Sequence, residues 1–170
     1  VKIYYSNKTP NKSSSNLVLF VDDKFNVNNL KKHLSSTELS YINDLLKNND
    51  LKKNMFLFEI NSKKKIILIS IKKDLKISDV ENLGAEFYGR INHGKSIEYS
   101  VNSETVIGKQ ESFIGYFLHG LKLKSYSFNK YKTKKVKRII SINVLGNKNK
   151  PSNKTQLKFK SLEEGTFYAR

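Results

Sequence analysis

Two apolar runs in the middle of the chain lack the alternation of polar and apolar residues that is typical of a strand with one solvent-exposed face. They are Met55–Ile60 and Lys65–Ile71, and each has the length of a strand rather than of a helix. Strands of this composition are buried on both faces, as in the centre of a sheet covered by helices. Asn61–Lys63 joins the two runs, which predicts a hairpin. Leu17–Val21 is a third continuous apolar run and predicts another strand.

Segments with helical periodicity separate these strands. In the best defined one, Ser78 and Glu81 have the spacing of a capping box, and Gly94 is placed to stop the helix. Its apolar residues lie on one face, namely Val80, Leu83, Phe87 and Ile91. Three more helices are predicted, at Thr37–Lys47 behind a capping box of Ser35 and Glu38, at Thr105–Leu123, and at Gln156–Arg170 with a start as late as Ser161.

The remaining apolar segments complete a layered fold. Strands are predicted at Ile3–Tyr5, which is short enough for a sheet edge, at Ser96–Val101 and at Val136–Val144. Strands separated by helices predict an α/β fold in which a mixed sheet is flanked by helices in three layers. The chain has 170 residues, which fits one domain at roughly 100–200 residues per domain.

The composition narrows the possible partners. The net charge is +17, yet 29 of the 32 basic residues are Lys. A polyanion partner is one interpretation. Codon bias of an AT-rich genome is the favoured one, because evolved phosphate recognition usually prefers Arg. No apolar stretch approaches the ~20 residues of a membrane span, so no membrane partner is expected. The absence of Cys excludes disulfides and thiolate chemistry, and it suits a reducing, cytoplasmic compartment.

One full motif match has the wrong surroundings. Gly89–Ser96 fits the P-loop pattern G-x4-G-K-[ST], which requires a strand before it and a helix after it. Here a helix is predicted before Gly89 and a strand after Ser96. The segment is therefore interpreted as a helix end with Lys95 near the negative end of the helix dipole, and a nucleotide site with Lys95 as its phosphate ligand stays a minor alternative.

Other chemistry-bearing residues form no recognisable set. His33, His93 and His119 have no metal-ligand spacing, and the pair Asp22–Asp23 is more typical of a solvated turn than of a cation site. No nucleophile elbow or Ser-His-acid set is present. The sequence predicts no catalytic, cofactor-binding or metal-binding residue.

Lys122–Arg138 is the most distinctive segment, since Lys alternates there with Tyr and Phe. Such a stretch can bind single-stranded nucleic acid through stacking and phosphate contacts. The alternative is a helix exit whose aromatic rings pack on the core while Lys stems cover apolar surface. The second interpretation is preferred, and a nucleic-acid-binding module is the alternative function.

Two segments resemble the N-terminal domain of the leucyl aminopeptidase family. Members carry a helix that ends in a Glu-Gly-Leu-type turn, followed by Ser-Tyr-x-Phe-Asp-x-Tyr-Lys. His119–Leu121 and Ser125–Lys132 stand in that register, with His119, Lys124 and Asn129 in place of the usual acid, Gly and Asp. Glu164–Arg170 resembles the helix that leads into the catalytic domain.

The resemblance implies a division of the chain and a parent enzyme. Residues 1–152 would be a macro-domain-like N-terminal domain, and residues 153–170 a helix linking it to a catalytic domain. Family members release N-terminal amino acids from peptides with two divalent metals, zinc or manganese, held entirely by that second domain. This chain alone is expected to be inactive.

The resemblance also implies partners. They are the chain's own catalytic domain, neighbouring subunits of a homo-hexamer, and peptide substrates only through the parent enzyme. DNA is a further possible partner, because the hexamer of some bacterial members binds it.

Overall fold

The computed structural model describes residues 1–8, 16–108, 112–130 and 139–169. Within them, six β-strands and four α-helices follow one another along the chain. The strands are β1 (Lys2–Ser6), β2 (Asn16–Asp22), β3 (Met55–Glu59), β4 (Lys65–Ile71), β5 (Glu98–Asn102) and β6 (Ser141–Leu145). The helices are α1 (Ser36–Lys47), α2 (Ile77–Ile91), α3 (Phe113–Lys130) and α4 (Asn153–Ala169). None of the helices in the described ranges is long and apolar enough to cross a bilayer.

All six strands form one sheet in the order β1-β6-β5-β2-β4-β3. Every neighbouring pair is parallel except β3 and β4, which form the predicted antiparallel hairpin with Met55 opposite Ile69. β1 lies at one edge, as its short apolar segment predicted. The predicted α/β class with a mixed sheet between helices is confirmed.

Strand β2 shows why the fold has three layers. Val18 and Phe20 lie in the core beneath α2 and α3. Leu17, Leu19 and Val21 lie in a second core on the α1 side. Because successive side chains of a strand point to opposite faces, only a continuous apolar run can fill both cores. β4 is buried on both faces in the same way, whereas the expectation was wrong for β3: Leu57 and Glu59 are exposed because β3 is the opposite edge strand.

The helix N-termini match the predicted capping boxes only in part. Ser35 caps α1 by accepting a hydrogen bond from the Glu38 amide at 3.2 Å, but the Glu38 carboxylate pairs with Lys64 at 2.8 Å instead of turning back. The predicted box of Ser78 and Glu81 is wrong. α2 begins at Ile77, and Asp79 accepts from the Lys76 amide at 3.0 Å.

Three other boundaries also differ. α3 runs over Phe113–Lys130 rather than Thr105–Leu123, since Ser103–Thr105 form a 3-10 turn and Gly108 has a φ of +89°. β6 covers Ser141–Leu145, and residues 136–138 of the predicted strand lie outside the described residues. α4 begins at Asn153, three residues before the predicted start, because the Ser152 hydroxyl accepts from the Thr155 amide at 3.2 Å.

Helices α2 and α3 cross at two glycines. A Cβ on Gly84 would lie 1.8 Å from the Phe117 carbonyl oxygen of α3, and one on Gly120 would lie 1.9 Å from the Glu81 carbonyl oxygen of α2. The two backbones therefore touch where any other residue would separate them. This crossing fixes α3, and the helix that packs on α3, relative to the sheet.

Gly84→Ala is expected to lower the free energy of unfolding by about 1–3 kcal/mol or more, because the added methyl group has no room. Gly89→Ala in the same helix is the matched control. Nothing lies within 4 Å of its Cβ position, so Ala there should raise stability by up to about 1 kcal/mol through helix propensity. Urea unfolding of both variants measures the difference. Equal stability of the two would contradict the close crossing.

Candidate binding cleft

The P-loop match lies in the reverse of the required context. Gly89 and Arg90 are in the last turn of α2, Arg90 pairs with Glu86 at 3.5 Å, and β5 follows Ser96. A helix thus precedes the motif and a strand follows it, as predicted. The role predicted for Gly94 is wrong, because α2 ends at Ile91 and Gly94 has no positive φ.

The other residues singled out in the sequence have structural partners. The Asp22 carboxylate accepts from the amides of Lys24 and Asn26 at 3.1 and 2.9 Å, so it organises a turn after β2. His33 Nδ1 lies 3.0 Å from the side-chain amide nitrogen of Asn102, and His119 Nδ1 lies 2.9 Å from the Glu81 carboxylate. The described residues contain no group of three or more His, Asp or Glu that could hold a metal ion.

The carboxyl ends of β2 and β5 are the first place to look for a ligand site. From β2 the chain moves to β4 and β3 on one side, and then returns to β5 and β6 on the other. In open α/β sheets, ligands bind outside the strand ends at such a switch point. The sheet topology therefore points to the region around Asp22 and Asn102.

This region is largely closed by hydrogen bonds within the chain. The Thr105 hydroxyl accepts from the Phe20 amide at 3.0 Å and donates to the Asn102 carbonyl at 2.8 Å. The Ser103 hydroxyl lies 2.9 Å from the Leu145 carbonyl and 2.6 Å from that of Lys148. Among the described residues a cavity of only about 160 Å³ remains there, below the roughly 300–1,000 Å³ of typical ligand pockets.

A larger cleft lies away from the switch point. It is about 410 Å³ in volume and is bounded by β1, α3 and α4. Its apolar surface includes Ile3, Leu118, Leu157 and Phe159. We call it the α3–α4 cleft. Its size and mainly apolar walls are those of a small-molecule site.

The ring of Phe159 holds α4 against α3. A Cβ on Gly115 would lie 2.4 Å from that ring, so the glycine lets α4 come close. The ring also meets Tyr116 edge to face at 4.9 Å between centroids and His119 at 5.5 Å. These contacts form the aromatic floor of the α3–α4 cleft.

An ion pair lies on the wall of the cleft. Lys122 Nζ on α3 donates to Glu163 Oε2 on α4 at 2.8 Å, and the Glu163 side chain is only 8% exposed. Burial, together with the negative charge of Glu163, raises the pKa of Tyr5 on β1 to about 12. Groups with perturbed pKa values in a cleft are typical of functional sites.

His119 brings an unsatisfied nitrogen to the same wall. A carboxylate is an acceptor only, so the Nδ1 atom that faces Glu81 carries the proton. The Nε2 atom is buried, and the described residues offer it no hydrogen-bond partner. An unpaired buried polar atom costs about 1–3 kcal/mol. One polar atom in this wall thus has no hydrogen-bond partner among the described residues, although almost none of its surface is exposed.

The sequence analysis singled out His119 and the segment that begins at Lys122. It did not predict the cleft that His119 and Lys122 line. Tyr5, Lys122 and Glu163 come from three distant elements, and no local pattern links them. Only the resemblance marked both α3 and α4 as informative segments.

The start of the basic segment Lys122–Arg138 packs on the protein. Lys122 is paired with Glu163, and the ring of Tyr126 stacks on Phe167 with centroids 4.2 Å apart. The Tyr126 hydroxyl donates to the Phe167 carbonyl at 3.1 Å. This part follows the preferred interpretation of docked aromatic rings. The side chains from Ser127 to Arg138 lie outside the described part of the chain.

The sheet order and the flanking helices define a three-layer α/β domain, and its fold is similar to that of a macrodomain. No protein-family model matches the sequence, and no curated protein is significantly similar to it. Among solved structures, a mutant of tomato leucine aminopeptidase matches 99% of this chain with a TM-score of 0.67 and 14% identity. The chain spans 36% of that protein's length. The macrodomain of Thermus aquaticus DarG matches 85% of this chain and 98% of its own, with a TM-score of 0.55 and 9% identity.

The raised pKa of Tyr5 predicts a pH dependence of stability. The folded chain holds the phenol proton more tightly than the unfolded chain, whose Tyr titrates near 10, so this stabilisation is complete below pH 10 and is lost as the pH rises towards 12. Absorbance titration of tyrosinate should lose its transition near 12 in Tyr5→Phe. The exposed neighbour provides a control, since Tyr4→Phe should leave that late transition in place. Loss of an ordinary transition near 10 in Tyr5→Phe would refute the assignment.

Proposed function

We propose that this chain is the non-catalytic N-terminal domain of a leucyl aminopeptidase. The parent enzyme would release N-terminal amino acids from peptides by two-metal hydrolysis in a separate catalytic domain. This chain would then contribute a folded α/β body, not the reacting groups. The parent's metals, zinc or manganese, would activate water and polarise the scissile carbonyl there.

The extent of the structural match supports this proposal most directly. The aminopeptidase structure accounts for 99% of this chain, whereas the macrodomain accounts for 85%. The match covers only 36% of the length of the aminopeptidase. A domain that is matched almost completely by about a third of a longer enzyme has the relation expected of one module within it. Because fold alone does not specify function, the site must add to this argument.

The contact between the two family-like segments adds support. Tyr126 lies on α3 and belongs to the family-like segment Ser125–Lys132, and Phe167 lies on α4 and belongs to the family-like segment Glu164–Arg170. Their rings stack at 4.2 Å, and a hydrogen bond joins them. Gly120, within His119–Leu121, is one of the two glycines at the crossing of α2 and α3. Residues that carry the resemblance therefore hold the helical layer together.

A ligand-binding role of the kind suggested by a macrodomain fold is the main rival. The cavity at the carboxyl ends of β2 and β5 bears on it. Among the described residues that cavity measures about 160 Å³, and Thr105 on its wall is hydrogen-bonded to the Phe20 amide. The switch point therefore gives a ligand as large as a nucleotide little room, which favours the accessory-domain proposal.

Nucleic-acid binding by Lys122–Arg138 has less support from the described residues. The ammonium of Lys122 is paired with Glu163, and the ring of Tyr126 is covered by Phe167. Phosphate contact or base stacking at these positions would first require those contacts to open. Because +17 of net charge remains, weak binding that falls steeply with salt is expected of any polyanion.

An aminopeptidase assay tests the proposal. The chain of 170 residues, incubated with leucine p-nitroanilide and added manganese or zinc, should release no product above the metal-only background. The natural protein extended beyond Arg170 should release it, and a chelator should abolish that activity. Turnover by the chain alone would place the chemistry here. An extended protein without a metal site or turnover would also overturn the proposal.

A further inference from the structure

We propose that the α3–α4 cleft is a binding site for a free amino acid with a large apolar side chain. The inference stands on the geometry of the cleft and does not depend on the identity of a parent enzyme. Two features carry it: opposite charges side by side on one wall, and an aromatic floor beneath them.

The charged wall selects a zwitterion. Lys122 Nζ and Glu163 Oε2 are 2.8 Å apart, and this bond uses one of the two carboxylate oxygens. An ammonium group has three donors, of which this pair uses one. A ligand carboxylate can thus bind Lys122 while a ligand ammonium binds Glu163, and the ion pair stays intact. A ligand with only one charge would face a like charge on the same wall.

The two charged groups of the ligand must lie close to each other. The charges of an α-amino acid are separated by a single carbon atom, which suits two protein charges in direct contact. The side chain of such a ligand would then extend towards the apolar surface of Leu118 and Leu157 and the ring of Phe159. The cleft volume of about 410 Å³ accommodates an aromatic amino acid.

His119 is part of the same wall but does not carry the inference. It lines the same cleft, it is 8% exposed, and its Nε2 atom is buried with no hydrogen-bond partner among the described residues. Its ring is fixed by Glu81 on one side and by Phe159 on the other. A ligand in the cleft would contact the His119 ring without reaching Nε2, so the proposal rests on the ion pair and the aromatic floor.

Calorimetry and amide NMR shifts of the 170-residue chain with L-phenylalanine test the proposal. We expect saturable binding with shifts at Tyr5, Gly115 and Lys160. Phenylalaninamide lacks the carboxylate, N-acetyl-L-phenylalanine lacks the ammonium, and glycine lacks the side chain. Each should bind about tenfold more weakly or worse, since one contact of that size contributes about a factor of ten.

Charge-removing variants locate the site. Glu163→Gln and Lys122→Met should each weaken L-phenylalanine by about tenfold or more. Glu164→Gln and Lys124→Met, on the same two helices, should bind as the unaltered chain does. Thermal melts check that all four fold, and the ligand series on the unaltered chain decides the matter if either cleft variant does not.

Three results would overturn the proposal. They are no binding of L-phenylalanine at millimolar concentration, equal binding of all the analogues, and unchanged affinity in both folded cleft variants. None of these depends on whether an extended protein has aminopeptidase activity.

Discussion

The backbone contact between α2 and α3 determines how the helices are placed on one face of the sheet, the face opposite α1. Gly84 and Gly120 allow the two helices to approach until carbonyl oxygens fill the space of absent side chains. At this separation Glu81 reaches His119 at 2.9 Å, and the rings of Phe87 and Phe117 pack at 5.5 Å. A wider crossing would separate these pairs and open the core, which is packed at the density of an organic crystal. The contact is also what places α3 where α4 can pack on it.

The second helix pair follows the same rule with different groups. Gly115 lets the ring of Phe159 enter against α3, and the ion pair of Lys122 and Glu163 lies one to two turns further along. A buried ion pair gains little net stability over apolar packing, but losing one partner is costly. The pair therefore fixes which face of α4 meets α3 more than it stabilises the fold. The α3–α4 cleft forms where the two helices and β1 do not fully meet.

The sequence predicted the sheet better than it predicted the sites, for physical reasons. β2 and β4 were identified because burial on both faces leaves no polar positions in Leu17–Val21 or in most of Lys65–Ile71. Helix starts were less accurate, because several side chains compete for the same amides. Asp79 rather than Ser78 organises the start of α2, which leaves Glu81 for His119. The cleft could not be predicted locally, since its ion pair joins residues 41 positions apart.

The strand-end cavity and the α3–α4 cleft, two of several clefts in the described part of the chain, differ in how much open volume they leave. At the carboxyl ends of β2 and β5, Thr105 and Ser103 use their hydroxyl groups on the backbone, and a cavity of about 160 Å³ is left. In the α3–α4 cleft, the paired charges of Lys122 and Glu163 line about 410 Å³ of open space. The larger volume and the charged groups on its wall make this cleft the better candidate for a binding surface. The fold is shared with other α/β domains, so the fold alone does not specify which part of the surface binds a ligand. Here, hydrogen bonds within the chain largely close the carboxyl ends of β2 and β5, which favours the α3–α4 cleft as the binding surface.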